Sequence, residues 1–170
     1  MVRASRRVLE APWFRLVASI SIVVAGKQNI QWPIDLRVCG IFAALWAFYL
    51  ARCALTGDPM IEAALPIHAI AGGLLFYGQE ARVVMLAEAG IYWAIAVGLI
   101  AARRWGLVLA LFYMVEVVMS HLVFIVAYLD NRAEWYHVHL AANEGPFVVL
   151  LTLYLWIRAY DLIFSPASHS

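Results

Sequence analysis

Charge is scarce in this chain. Only 14% of its 170 residues are Asp, Glu, Lys or Arg, whereas 65% are hydrophobic. Soluble domains carry about a quarter charged residues and about half apolar ones, so this composition cannot dress a water-facing globule. Lysine is nearly missing, with one Lys against eleven Arg, which we read as base composition rather than chemistry. Cysteine is rare too. Cys39 and Cys53 fall in one expected helix, where fourteen residues separate them by about 21 Å, beyond disulfide reach. They read as free thiols that pack as small apolar residues. Net charge is only +1, so the charge balance points to no nucleic acid and no acidic partner. There is no His-Glu-x-x-His and no paired Cys motif. Internal repeats and low-complexity stretches are missing as well, which weakens a transporter reading.

What the chain does have is long apolar runs broken by single polar residues. The segment 106–129 carries only Glu116 and His121 as charged or imidazole groups. It is long enough to cross the ~30 Å hydrocarbon core of a bilayer. Lipid then acts as the solvent, and every backbone amide must find a partner within its own segment, which dictates helices. The expected fold is an all-α polytopic transmembrane helix bundle, a single integral membrane domain over 1–170. Six spans are preferred over four: 11–30, 34–56, 60–77, 82–102, 106–129 and 143–164. Pro33, Gly57-Asp58-Pro59, Gly78-Gln79, Arg103-Arg104-Trp105-Gly106 and the stretch 130–142 punctuate them. Asn143-Glu144-Gly145-Pro146 resembles a helix start, with a capping residue followed by Pro in the first turn.

Two spans are weak. The first is short, carries Arg15, and follows a basic start that also suits a signal peptide, although a retained helix is the preferred reading. The third contains Pro66, His68 and Gly72-Gly73. A four-span alternative lays the first on the membrane surface and makes the third re-entrant. With six spans and both termini cytoplasmic, the inner side collects Arg3, Arg6, Arg7, Arg15, Arg52, Arg103, Arg104 and Arg158. The outer side then holds Lys27, Arg37, Arg82 and Arg132, and the bias places the protein in a cytoplasmic (inner) membrane. Trp13-Phe14, Trp32, Tyr77, Trp105, Trp135-Tyr136 and Tyr160 gather near span ends as interfacial anchors. Arg103-Arg104-Trp105 reads as a cytoplasmic stop that meets anionic head groups. Gly90, Ala94, Gly98 and Ala102 form a small-residue stripe for internal packing, a homodimer seam or a partner helix.

Function must be sought among ionisable groups inside the spans, because charge in hydrocarbon is expensive and normally faces the bundle interior. Glu88 and His121 lie equally far from the turn near 104–105, so the fourth and fifth spans could pair them. Glu116 lies nearer that turn, level with Tyr92 and Trp93, and shares a face with Tyr113 and Ser120. His68 falls in the same slab. The slab admits a polar network that fixes helix register, a proton or ion path, haem or metal ligation by His68 and His121, or an acid–base site. In the last case Glu88, Glu116 and His121 are the catalytic candidates, and Tyr92, Trp93, Tyr113 and His68 the substrate wall. His137 and His139 could bind Cu or Zn, with Asp130 and Glu134 adding oxygens.

Three function classes follow. The first is a small subunit packed among membrane lipids and other transmembrane helices, as a homo-oligomer or with partner subunits. The second is a small membrane enzyme acting on an apolar isoprenoid or quinone-like substrate, for which carboxylates beside aromatic faces are suited. The third is a transporter or channel. No cofactor is specified by the residues.

Overall fold

A computed structural model describes residues 32–56, 68–131 and 135–164. The expected span over 11–30, the signal-peptide alternative, Arg132, Glu134 and the first half of the expected third span lie outside the described residues. Four helices and one hairpin follow in order: α1 (Ile34–Thr56), β1 (His68–Ala71), β2 (Leu74–Tyr77), α2 (Gly78–Ile100), α3 (Arg104–Tyr128) and α4 (Trp135–Phe164). All four helices are long and apolar enough to cross a membrane. Their outward faces are apolar, the reverse of a soluble bundle. On α2, Val83, Leu86, Trp93, Val97 and Ile100 recur at helical spacing and are all exposed. Phe112, Val115, Met119, Leu122 and Val126 do the same on α3.

Small residues join α1 to α2. Gly40, Ala47 and Ala54, seven residues apart, are buried on α1, and Ala81, Ala89 and Ala96 are buried on α2. A β-carbon on Gly40 would come within 3.2 Å of the Ala96 carbonyl oxygen. Close backbone approach replaces the hydrophobic drive that lipid does not supply. The expected stripe at 90, 94, 98 and 102 is not this seam. Space around Gly90 is open, while Gly98 packs against Gly106 of α3. Cys39 and Cys53 are free, and Cys53 is buried at the α1–α2 contact with Ala81 and Met85.

The largest departure from expectation is at 68–77. There the expected third helix is an antiparallel hairpin, with His68 opposite Tyr77 and Ala71 opposite Leu74. Gly72 and Gly73 form its two-residue turn, at φ +56° and +77°. Two left-handed residues define the turn that matches natural strand twist, and Gly-Gly adopts it without steric cost. Two apolar tetrads around Gly-Gly were the available signal.

Removing one span between α1 and α2 reverses α1. Gly40 meets Leu99 and Ile100, and Cys53 and Ala54 meet Ala81 and Met85. Arg37 therefore shares an end with Arg103, Arg104 and Arg158, which we call the turn end. Arg52 joins Arg82 at the opposite, hairpin end. Both assignments exchange relative to the six-span expectation.

Between α2 and α3 the chain closes tightly. Gly98 and Gly106 are in backbone contact, and the Arg103 amide donates to the Gly98 carbonyl at 2.8 Å. At the other end of the same helix pair, both strands of the hairpin lie against α2 and α3. The hairpin thus fills a wedge whose apex is the Gly98–Gly106 contact. Backbone outside helices is tolerated at membrane depth only where protein encloses it or water reaches it; Ala69 and Gly73 are buried against the helices, while Gly72 and Leu74 are exposed.

The start of α4 also differs. Residues 135–142, expected in a loop, form its first two turns, and Pro146 sits inside the helix rather than at its start. Val138 and Ala141 in this extension are buried with Phe124, against Ile70 and Leu75 of the hairpin. That packing extends the helix past the capping signal. Proline's missing amide leaves one ladder hydrogen bond unmade at Pro146.

Candidate functional site

The polar slab assembles where the tip of the hairpin meets the wedge. Glu88 on α2 lies ten residues before Gly98, and Glu116 on α3 ten residues after Gly106. At 1.5 Å per residue, each carboxylate lies about 15 Å from the apex. The hairpin turn comes down to the same level. The Gly73 amide donates to Ser120 Oγ at 3.0 Å, and the Gly72 amide to Glu116 Oε1 at 3.4 Å. Two turn amides that would otherwise be stranded in an apolar layer are thereby satisfied. Gly73 is pressed so closely on Val123 that a β-carbon there would clash.

Around this meeting point, Tyr113 of α3 lies beside the Glu88 carboxylate of α2. Its ring meets Tyr92 edge-to-face, with centroids 5.1 Å apart at 90°. Tyr113 is buried, and Tyr92 is partly buried one turn from Glu88 on α2. His121 bonds the Val117 carbonyl through Nδ1 at 2.8 Å. Its Nε2 lies 3.7 Å from Glu144 Oε2 on α4. Glu88 and His121 are electrostatic neighbours although His121 lies five residues farther than Glu88 from the Gly98–Gly106 contact, and the carboxylate paired to His121 is Glu144. Glu144 was missed because the sequence suggested a helix cap at 143–146. Once α4 begins at Trp135, Glu144 lies about two and a half turns into the helix, beside His121 of α3.

Trp93 does not belong to this wall. It follows Glu88 by five residues, which turns it well away from the acid, and it is 48% exposed on the outward face. Tyr92, four residues on, shares the face of Glu88. The wall is therefore Tyr92 and Tyr113.

The expected histidine pairs are rearranged. His137 and His139 stand two apart on a helix, so their side chains diverge by about 160° and cannot clasp one ion from that turn. His137 is buried, with its ring 4.3 Å from that of His68 and 5.9 Å from that of Tyr77 at the base of the hairpin. His139 is exposed and packs its ring on Trp135 at 4.1 Å. His68 and His121 likewise engage different neighbours. Among the described residues, no group of three or more His, Cys, Asp or Glu is placed to hold a metal ion.

At the turn end, the character is opposite. Leu36, Ile95, Leu99, Leu107, Ala110, Met114 and Leu155 form an apolar core there. An ion pair joins Asp35 of α1 to Arg158 of α4, and Arg158 also stacks over Tyr154 at 5.6 Å. The Asp35 carboxylate also accepts from the Leu36 amide at 2.8 Å. The pair ties α4, which otherwise packs chiefly on α3, back to α1.

Three carboxylates, one imidazole and two phenols from three helices lie beside two hairpin amides, a set of groups that can donate and accept protons. Compared with known proteins, the chain matches no family model, no curated protein and no solved structure, so the functional reading rests on this geometry.

Proposed function

We propose that this is a small integral membrane protein whose chemistry is done by the mid-depth cluster: an acid–base site for the polar end of an apolar, isoprenoid or quinone-like substrate. The observation that supports it is the convergence of Glu88, Tyr113, Glu116, His121 and Glu144 beside the hairpin tip. A network that only fixed register would need one or two neutral polar groups. Several acids at one depth are costly in hydrocarbon unless their charge or their proton is used. In this reading Glu88 is positioned by Tyr113 and Tyr92 and exchanges a proton with substrate. His121, held in register by Val117 and Glu144, shuttles the proton onward. Glu116 carries negative charge that stabilises a developing cation, with the two phenol rings as wall. The Arg103–Arg104 end faces the cytoplasm. Four arginines at that end against two at the hairpin end, among the described residues, support this orientation.

The test uses the protein in lipid nanodiscs with a short-chain quinone and an isoprenoid alcohol as probes. Wild type should bind one class. The Glu88→Gln/Glu116→Gln double variant should bind it at least about tenfold more weakly, the scale set by a lost charged hydrogen bond, with helix content and melting midpoint kept. No binding by wild type, or equal binding by the double variant, removes the reading.

A second reading, a subunit of a larger membrane assembly, is favoured by α4. Only 11% of its spanning window is buried within the chain, against 28–33% for the other three helices. A species heavier than the monomer after mild solubilisation, lost when Leu150 and Leu153 become Ala, would support it. A monomer in both would not.

A further inference from the structure

The two ends of the bundle differ in charge as well as in packing. Among the described residues, the hairpin end carries Arg52 and Arg82 against Glu80 and Asp130. The turn end carries Arg37, Arg103, Arg104 and Arg158 against Asp35 and Asp161. Asp35 is engaged by Arg158, and it stands two residues from Arg37 on a helix, which turns the two side chains about 160° apart. Arg37 and Arg103 are both exposed. The fold sets them at one end of a tight helix pair. Gly40 of α1 packs on Leu99 and Ile100 of α2, so closely that a β-carbon would lie 3.0 Å from the Leu99 β-carbon. The helices run in opposite directions. Arg37 precedes Gly40 by three residues, about 4.5 Å, and Arg103 follows Ile100 by three. Both therefore pass the contact toward the same end. Ile41, four residues on, shares the face of Arg37 and is exposed, as are Val97 and Ile100 of α2. Trp105 is 38% exposed beside the turn, where an indole suits the headgroup layer.

We propose that Arg37 and Arg103 form a binding site for the headgroup of one anionic phospholipid, whose phosphodiester bridges α1 and the α2–α3 turn while its acyl chains lie over Ile41, Val97 and Ile100. Guanidinium groups hold phosphate oxygens through paired N–H donors. Two like charges at the rim of one helix contact repel, and an anion between them turns that repulsion into attraction. The bilayer itself supplies phosphodiesters to the layer in which they sit. A general pull of Arg103-Arg104 on a charged leaflet needs no residue of α1. The site does, and Arg37 reaches this end only because α1 is reversed relative to the six-span expectation. A bound headgroup ties α1 to the turn beside the Gly40 contact, so occupancy stabilises the bundle. The proposal is independent of the chemistry of the mid-depth cluster.

The experiment uses the full chain in detergent micelles with phosphatidylglycerol or phosphatidylcholine of matched acyl chains, followed by native mass spectrometry and thermal unfolding. One phosphatidylglycerol should be retained, at least about tenfold more tightly than phosphatidylcholine, and it should raise the melting midpoint. Arg37→Gln and Arg103→Gln should each weaken retention about tenfold, the scale of one charged hydrogen bond. The double variant should lose the midpoint rise while keeping its helix content. Arg52→Gln/Arg82→Gln removes the same charge at the hairpin end and should retain the lipid as wild type does. Equal retention of the two lipids would overturn the proposal. So would a double variant that binds as wild type does, or an equal loss in the Arg52/Arg82 variant, which would reduce the effect to net charge. Displacement of the lipid by millimolar inorganic phosphate would assign the arginines to a free anion and overturn it too.

Discussion

The two ends of the α2–α3 pair solve opposite problems. At the turn end, Gly98 and Gly106 bring the helices into backbone contact, and Leu36, Leu99 and Leu107 seal the space beside them. At the hairpin end the same helices admit ten residues of β-structure and surround it with His, Glu, Tyr and Ser. Close apolar packing is concentrated in the first, and the polar cluster in the second. The physical reason is the absence of a hydrophobic drive between helices in lipid. Close packing of small residues holds one end. The other can be held open only by an element whose own polar backbone is satisfied, and Ser120 and Glu116 satisfy it.

The sharpest way to break this comparison is at its apex. Gly98→Val should abolish the folded bundle, because the added side chain would meet the Gly106 backbone and the Trp105 ring. Gly90→Val, on the same helix with open space around it, should stay within about 0.5 kcal/mol of wild type. Circular dichroism and gel filtration in detergent read both, and similar behaviour of the two variants would refute the apex.

The next largest effect contrasts core with site. Leu107→Ala should cost about 2–4 kcal/mol, the range for a buried leucine. Glu88→Gln should cost less than about 1 kcal/mol while weakening probe binding. Thermal unfolding beside binding separates them, and a Gln variant as unstable as the Leu107 variant would make Glu88 a structural residue.

Ala102 sharpens the turn. Its φ of +55° places an alanine in left-handed backbone between α2 and α3. Ala102→Gly should stabilise the protein by about 1 kcal/mol, seen as a higher melting midpoint, because glycine adopts this conformation without the β-carbon penalty. An unchanged or lower midpoint contradicts the strain.

The smallest effect is expected at Asp35. Its partner Arg158 and it are each about one-third exposed, so Asp35→Asn should cost under about 1 kcal/mol and loosen α4 alone. Hydrogen exchange confined to 150–162 would show this. Faster exchange throughout α1–α3 would give the pair a larger role.

The acids and the histidine of the site could be read in advance because an ionisable group in a 20-residue apolar run is conspicuous. Counting about the turn near 104–105 set Glu88 level with His121, whereas counting from the Gly98–Gly106 contact sets it level with Glu116, with His121 five residues farther along. Their partners could not be read. Glu144 stayed hidden behind a cap-like Asn-Glu-Gly-Pro, and Trp93 looked equivalent to Tyr92 until helix rotation separated them. His137 and His139 seemed paired by proximity in sequence, whereas helix geometry parts them and puts His137 against His68.

By itself the sequence determined the solvent and the helices. Four segments long and apolar enough to span a bilayer leave the backbone no other way to satisfy its hydrogen bonds. It also determined the impossibility of a Cys39–Cys53 bond, since that follows from a fixed rise per residue. Tertiary structure alone decided the fate of 68–77. Its apolar residues suit a short helix or a hairpin equally, and the choice depends on a wedge that exists only after α2 and α3 have packed at Gly98 and Gly106. That one choice reversed α1, moved Arg37 and Arg52 to opposite ends, and placed two glycine amides beside the acids. Local pattern cannot encode such an outcome, because the groups that settle it lie more than forty residues apart in the chain.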